Sequence, residues 1–106
     1  EQMIYAALNI KAEEALRVGL VNAVYPQADL MAAAEKLAGK IAKNAPIAVR
    51  ACKKAVNDGL QVDIDKAIAI EEKQFGSCFE TEDQKYGMAF FLDKNKEKVK
   101  EAFKNC

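Results

Sequence analysis

The stretch 28–59, ADLMAAAEKLAGKIAKNAPIAVRACKKAVNDG, decides the fold class. Leu30, Ala34, Leu37 and Ile41 recur at a four-three-four spacing, which places them on one narrow seam of an α-helix over 28–43. Asn44 and Pro46 interrupt that pattern, and Pro46 suits the first turn of a second helix because its missing N–H is one that a helix start leaves unpaired anyway. That helix carries Ile47, Ala51 and Ala55 on one face and stops at Gly59. Two adjacent seams of this kind predict a helical hairpin.

Helical spacing continues on both sides. Downstream, Asp63 is placed to cap a helix bearing Ile64, Ala67, Ile68 and Phe75, with Gly76 as its expected end. Thr81 with Gln84 then forms a capping-box signature for a further helix containing Tyr86, Ala89, Phe90 and Phe91. An amphipathic stretch from Asn95 to Phe103 closes the chain, placed either to dock or to fray. Upstream, Glu1–Leu8 reads as one helix and Ala12–Val18 as a short one that Gly19 stops. Leu20, Val21, Ala23, Val24 and Tyr25 then run extended to Pro26, the one credible strand. A lone strand leaves its backbone groups without partners, so its neighbours are expected on another segment or chain. The absence of a capping residue before Glu1 reads as a chain cut from something longer.

Composition narrows the function. The 106 residues suffice for one small domain whose exposed share stays large. Sixteen basic and sixteen acidic residues cancel, which gives no global field for nucleic acid or an anionic membrane. No apolar run approaches the roughly 20 residues of a membrane helix. The expectation is a soluble, cytoplasmic protein with no nucleic-acid or membrane partner. Cys52, Cys78 and Cys106 show no CxxC spacing and the chain has no histidine, so neither a zinc site nor a Cys-His dyad is indicated.

The remaining chemistry-bearing groups have plain alternatives. Glu13 with Glu14 and Glu71 with Glu72 look like acid-base pairs, but adjacent helical residues point about 100° apart and read as solvated faces. Glu80, Glu82 and Asp83 fall where a helix begins, and its positive end accounts for them. Arg50, Lys53 and Lys54, or Lys94, Lys96, Lys98 and Lys100, could hold a phosphate or form a solvated basic face. Charge alone leaves that open. No GxxxxGKS or GxGxxG loop is present.

Residues 10–24, IKAEEALRVGLVNAV, resemble a phrase of the crotonase (enoyl-CoA hydratase/isomerase) family, roughly IxAxEALRxGLVNxV. Further marks of the family follow in order: Leu37-Ala38 with Ile41-Ala42, Ala45-Pro46 with Ala48-Val49, and Lys53 or Lys54. Residues 72–85, EKQFGSCFETEDQK, resemble the close of bacterial short-chain members, the 3-hydroxybutyryl-CoA dehydratases. The resemblance covers essentially the whole chain and implies its C-terminal helical (trimerisation) region: mainly α with one short strand. Residues 1–27 would end the spiral core domain, and residues 28–106 would form the oligomerisation region.

The resemblance further implies a hydro-lyase, adding water reversibly and syn across a short-chain 2-enoyl-CoA. Acyl-CoA would be the substrate, with no separate cofactor and no metal. The parent would be a homo-oligomer, a trimer or a dimer of trimers. The family's catalytic glutamates and oxyanion N–H groups lie upstream, so no catalytic residue is carried over and the segment alone is expected to be inactive. Phe75 and Lys94 match family positions that reach the adenine and phosphates of coenzyme A; Phe75 equally fits ordinary packing. Where many relatives have Thr-Gly after the first helix, this chain has Ala6-Ala7, which predicts a more helical turn. Two alternatives remain: a free-standing helical assembly module without catalysis, and a segment of an isomerase or hydrolase of the same family.

Overall fold

The computed structural model describes residues 1–93 and 102–106. Among these described residues six helices follow in order: α1 Gln2–Tyr5, α2 Ala12–Arg17, α3 Gln27–Ala42, α4 Pro46–Gly59, α5 Ile64–Cys78 and α6 Glu82–Leu92. The mainly α class expected from the periodicity is the one observed. By contacts the chain divides into two compact units, Glu1–Leu37 and Ala38–Cys106.

In the first unit, two helix ends are built alike. After α2, the Gly19 N–H donates to the Leu16 carbonyl (3.1 Å) and the Leu20 N–H to the Ala15 carbonyl (2.8 Å), with Gly19 at φ +75°. This is a Schellman closure, and glycine takes its left-handed position without a Cβ penalty. After α1, the same pair of bonds runs from Ala7 to Ile4 (3.3 Å) and from Leu8 to Met3 (3.0 Å), with Ala7 at φ +50°. The helix expected over Glu1–Leu8 therefore ends at Tyr5. Alanine does not make this turn more helical: closing the orphan carbonyls of Met3 and Ile4 outweighs its preference against the left-handed region.

The short strand expected over residues 20–25 is not formed, and 23–26 lack regular structure. No other strand occurs among the described residues, so this backbone has no ladder to join. The α3 helix begins where Pro26 offers its carbonyl to the N–H groups of Asp29 and Leu30, at 2.9 and 3.1 Å.

In the second unit the packed hairpin is α4 with α5, whereas the sequence reading expected α4 to pair with the helix before it. Gly59 permits the approach: a Cβ there would stand 3.4 Å from the Cβ of Ala67. Asp63 caps α5 as expected, accepting from the Lys66 N–H at 3.0 Å. The helix runs past Gly76 to Cys78, because one interior glycine costs only about 1 kcal/mol and Phe75 and Phe79 pair across it. Thr81 caps α6 through the Gln84 N–H, at 3.1 Å. The amphipathic stretch expected from Asn95 to Phe103 falls mostly outside the described residues. Its end, 102–106, docks on α6.

Candidate functional site

The α5 helix presents Phe75 on its surface. The residue is 65% exposed, and its ring meets Phe79 edge-on, with centroids 5.1 Å apart and planes at 73°. Spacing by four residues puts both rings on one face, and an edge-to-face pair limits their rotation. In this chain Phe75 is thus an exposed aromatic surface beside Phe79. Lys94, the other residue expected at the coenzyme A site, lies outside the described residues, as do Lys96, Lys98 and Lys100.

The basic group on α4 is largely committed to neighbours. The Lys54 ammonium meets the Asp58 carboxylate at 2.7 Å one turn away, and the Arg50 guanidinium donates to Oδ1 of Asn105 at 2.8 Å. Lys53 is exposed. The acidic pairs also behave as surface groups. Glu14 accepts from Nε and Nη2 of Arg17 at 2.7 and 2.6 Å. That contact holds the Glu14 carboxyl below the usual carboxylate range and raises the Arg17 guanidinium. Both therefore stay charged at neutral pH, which suits a helix ion pair and not a proton-transfer group. Glu13, Glu71 and Glu72 are exposed.

Asp83 departs from its expected role. Thr81 performs the capping, while the Asp83 side chain is 3% exposed and turned to the chain end. Its Oδ1 accepts from the Lys104 N–H and its Oδ2 from the Asn105 N–H, both at 2.7 Å. Sequence reasoning missed this, because partners 21 and 22 residues away leave no local pattern.

Between α4 and α5 lies an open groove of about 460 Å³. Val56, Leu60, Ile64 and Ile68 line it, together with Cys52 and Glu71. Among the described residues, Ala15 and Ala51 are the buried apolar side chains, whereas Leu60, Ile64, Phe75 and Phe91 stand mostly exposed. Such a surface is suited to covering by further protein.

Exposed aromatics and an apolar groove mark the class as a helical unit with uncovered apolar surface. Comparison with known proteins supplies the family. The sequence model of the enoyl-CoA hydratase/isomerase family matches residues 1–102, and the chain belongs to that family. It is 52% identical over 105 residues to the short-chain-enoyl-CoA hydratase of Clostridium acetobutylicum, covering 99% of this chain and 39% of that protein. It is 48% identical over 96 residues to the crotonyl-CoA hydratase of Syntrophomonas wolfei, covering 91% and 37%. Among solved structures, an enoyl-CoA hydratase from Geobacillus kaustophilus superposes with a TM-score of 0.85 at 34% identity, over 95% of this chain and 37% of that one. An enoyl-CoA hydratase from Bacillus anthracis gives 0.82 at 37% identity, over 92% and 36%. The chain thus spans under two fifths of the length of these relatives.

Proposed function

We propose that this chain acts as the C-terminal part of an enoyl-CoA hydratase, a hydro-lyase for short-chain 2-enoyl-CoA of the 3-hydroxybutyryl-CoA dehydratase type. The observation that carries the reading is the 52% identity to a short-chain-enoyl-CoA hydratase over nearly the whole chain. Within that enzyme, residues 1–27 would close the preceding core domain and residues 28–106 would form the helical oligomerisation region. Phe75 would stack on the adenine of coenzyme A, and Lys94 would neutralise a phosphate. Both are sensible chemistry: a flat exposed ring suits a purine face and an ammonium suits an anion.

The segment contributes contacts and a wall of the pocket, not the glutamates that move protons. The exposed apolar residues support a role in oligomer contacts, since burying each large side chain in an interface contributes about 1.5–3 kcal/mol. No helix among the described residues is long and apolar enough to cross a membrane.

The test is hydration of crotonyl-CoA, followed by loss of the absorbance of its conjugated thioester. The 106-residue chain alone should show no turnover, and the same residues within an enzyme of the relatives' length should show it. In the active form, Phe75→Ala should raise KM for crotonyl-CoA about tenfold, as expected for a lost base-stacking contact. It should leave KM for crotonyl-pantetheine unchanged. Turnover by the isolated chain, or an equal loss with both substrates, would overturn the assignment.

A further inference from the structure

Asp83 is the one buried charged side chain among the described residues. A carboxylate removed from water is costly unless its oxygens are hydrogen-bonded. Here each oxygen is satisfied by a main-chain N–H, Lys104 on Oδ1 and Asn105 on Oδ2, at the short distance of a charge-assisted bond. The Asp83 N–H, one of the first-turn donors that α6 cannot pair internally, in turn donates to the Cys106 carbonyl at 3.1 Å. One residue is therefore tied to three successive residues in both directions.

The chain end is shaped for this. Asn105 lies at φ +65°, and this left-handed turn directs the following Cys106 carbonyl back to the Asp83 N–H while the Asn105 N–H stays on Oδ2. Asparagine tolerates that conformation better than most residues with a side chain. Its side chain is used as well, since Oδ1 accepts from Arg50 on α4. Phe103 adds an apolar anchor, edge-on to Tyr86 at 6.0 Å and lying over Gly87, where a Cβ would come within 3.5 Å of the ring.

We propose that residues 102–106 form an intramolecular strap, that the Asp83 carboxylate is its clasp, and that Asn105 extends the clasp to α4 through Arg50. The strap is a two-state element. Closed, it keeps the Asp83 carboxylate paired, Phe103 over Tyr86 and Gly87, and Arg50 occupied. Open, it exposes that ring surface and frees the guanidinium. Asp83 is a positioning residue, buried in the first turn of α6 with both oxygens engaged. The inference stands on this geometry and is independent of the coenzyme A reading.

Amide hydrogen exchange by NMR on the 106-residue protein tests it, with the amides of Lys104 and Asn105 as reporters and that of Ala67 as the control for an intact α4–α5 pair. In the unaltered protein both reporters should exchange far more slowly than in a short peptide. Asp83→Asn keeps the shape but offers one acceptor oxygen for two donors. It should speed at least one reporter by about tenfold or more, the loss expected for a hydrogen bond to a charged group. Asn105→Val attacks the clasp from the other side, because a β-branched residue resists the left-handed region; it should speed both reporters with Asp83 still present. Arg50→Gln should leave the Lys104 amide protected while loosening the Asn105 side chain. Reporters that exchange at peptide rates in the unaltered protein would overturn the proposal. So would Asn105→Val leaving both protected, an outcome that is decisive even if Asp83→Asn unfolds.

Discussion

The two Schellman closures of the first unit differ in one atom group and make opposite predictions. At Gly19 an added Cβ would meet nothing within 4 Å, so Gly19→Ala changes backbone preference and not packing. A side chain held at φ +75° is disfavoured by about 1–2 kcal/mol. The smaller entropy of the unfolded alanine chain returns about 0.4–1 kcal/mol. The net destabilisation is therefore about 1 kcal/mol. Ala7, at φ +50°, already carries the same strain, so Ala7→Gly should stabilise its turn by a similar or smaller amount. The reporters are the amides that close each motif, Leu20 on Ala15 and Leu8 on Met3. A change of about 1 kcal/mol in local opening is about fivefold in exchange rate. Hydrogen exchange should show the Leu20 amide faster in Gly19→Ala and the Leu8 amide slower in Ala7→Gly. A shift of both in the same direction, or an unchanged Leu20 amide, would refute the conformational argument.

Other perturbations follow from the second unit. Thr81→Ala removes the side-chain acceptor for the Gln84 N–H and should cost about 1 kcal/mol in urea unfolding, with an unchanged slope against denaturant. Gly59→Leu, at the 3.4 Å approach to Ala67, should cost about 1–3 kcal/mol by pushing α4 from α5, whereas Gly39→Leu, where nothing lies within 4 Å of the added Cβ, should not overpack. The Asp63 carboxyl is held below the usual carboxylate range by the Lys66 side chain first and the Lys66 backbone N–H second. Because the folded state favours its ionised form, its contribution is fully present above the ordinary aspartate pKa and is lost as pH falls through the lowered value. Acid titration followed by NMR should therefore release the Lys66 amide only below the ordinary range, and Asp63→Asn should flatten that dependence.

What could be read from the sequence was what is decided within a few residues. Gly19 ends α2, Pro46 opens α4, Asp63 and Thr81 cap α5 and α6, and each of these acts on a neighbour no more than five positions away. The 10–24 phrase and the marks after it were likewise legible as a family pattern, and the family match over residues 1–102 agrees with them. Local readings failed where a stronger closure competed. Ala7 accepted a strained φ so that two orphan carbonyls could be paired, and Gly76 was carried through α5 by its flanking residues.

The sequence by itself thus determined the helices, most of their ends and the family to which the chain belongs, because capping, periodicity and backbone preference act over one or two turns. Only the tertiary structure decided that α4 packs on α5, that Phe75 stands exposed beside Phe79, and that Asp83 holds the chain end instead of capping α6. These depend on which surfaces meet. A carboxylate in a first turn looks the same in sequence whether it faces water or two amide groups 21 and 22 residues away, and only folding brings those partners within hydrogen-bonding distance.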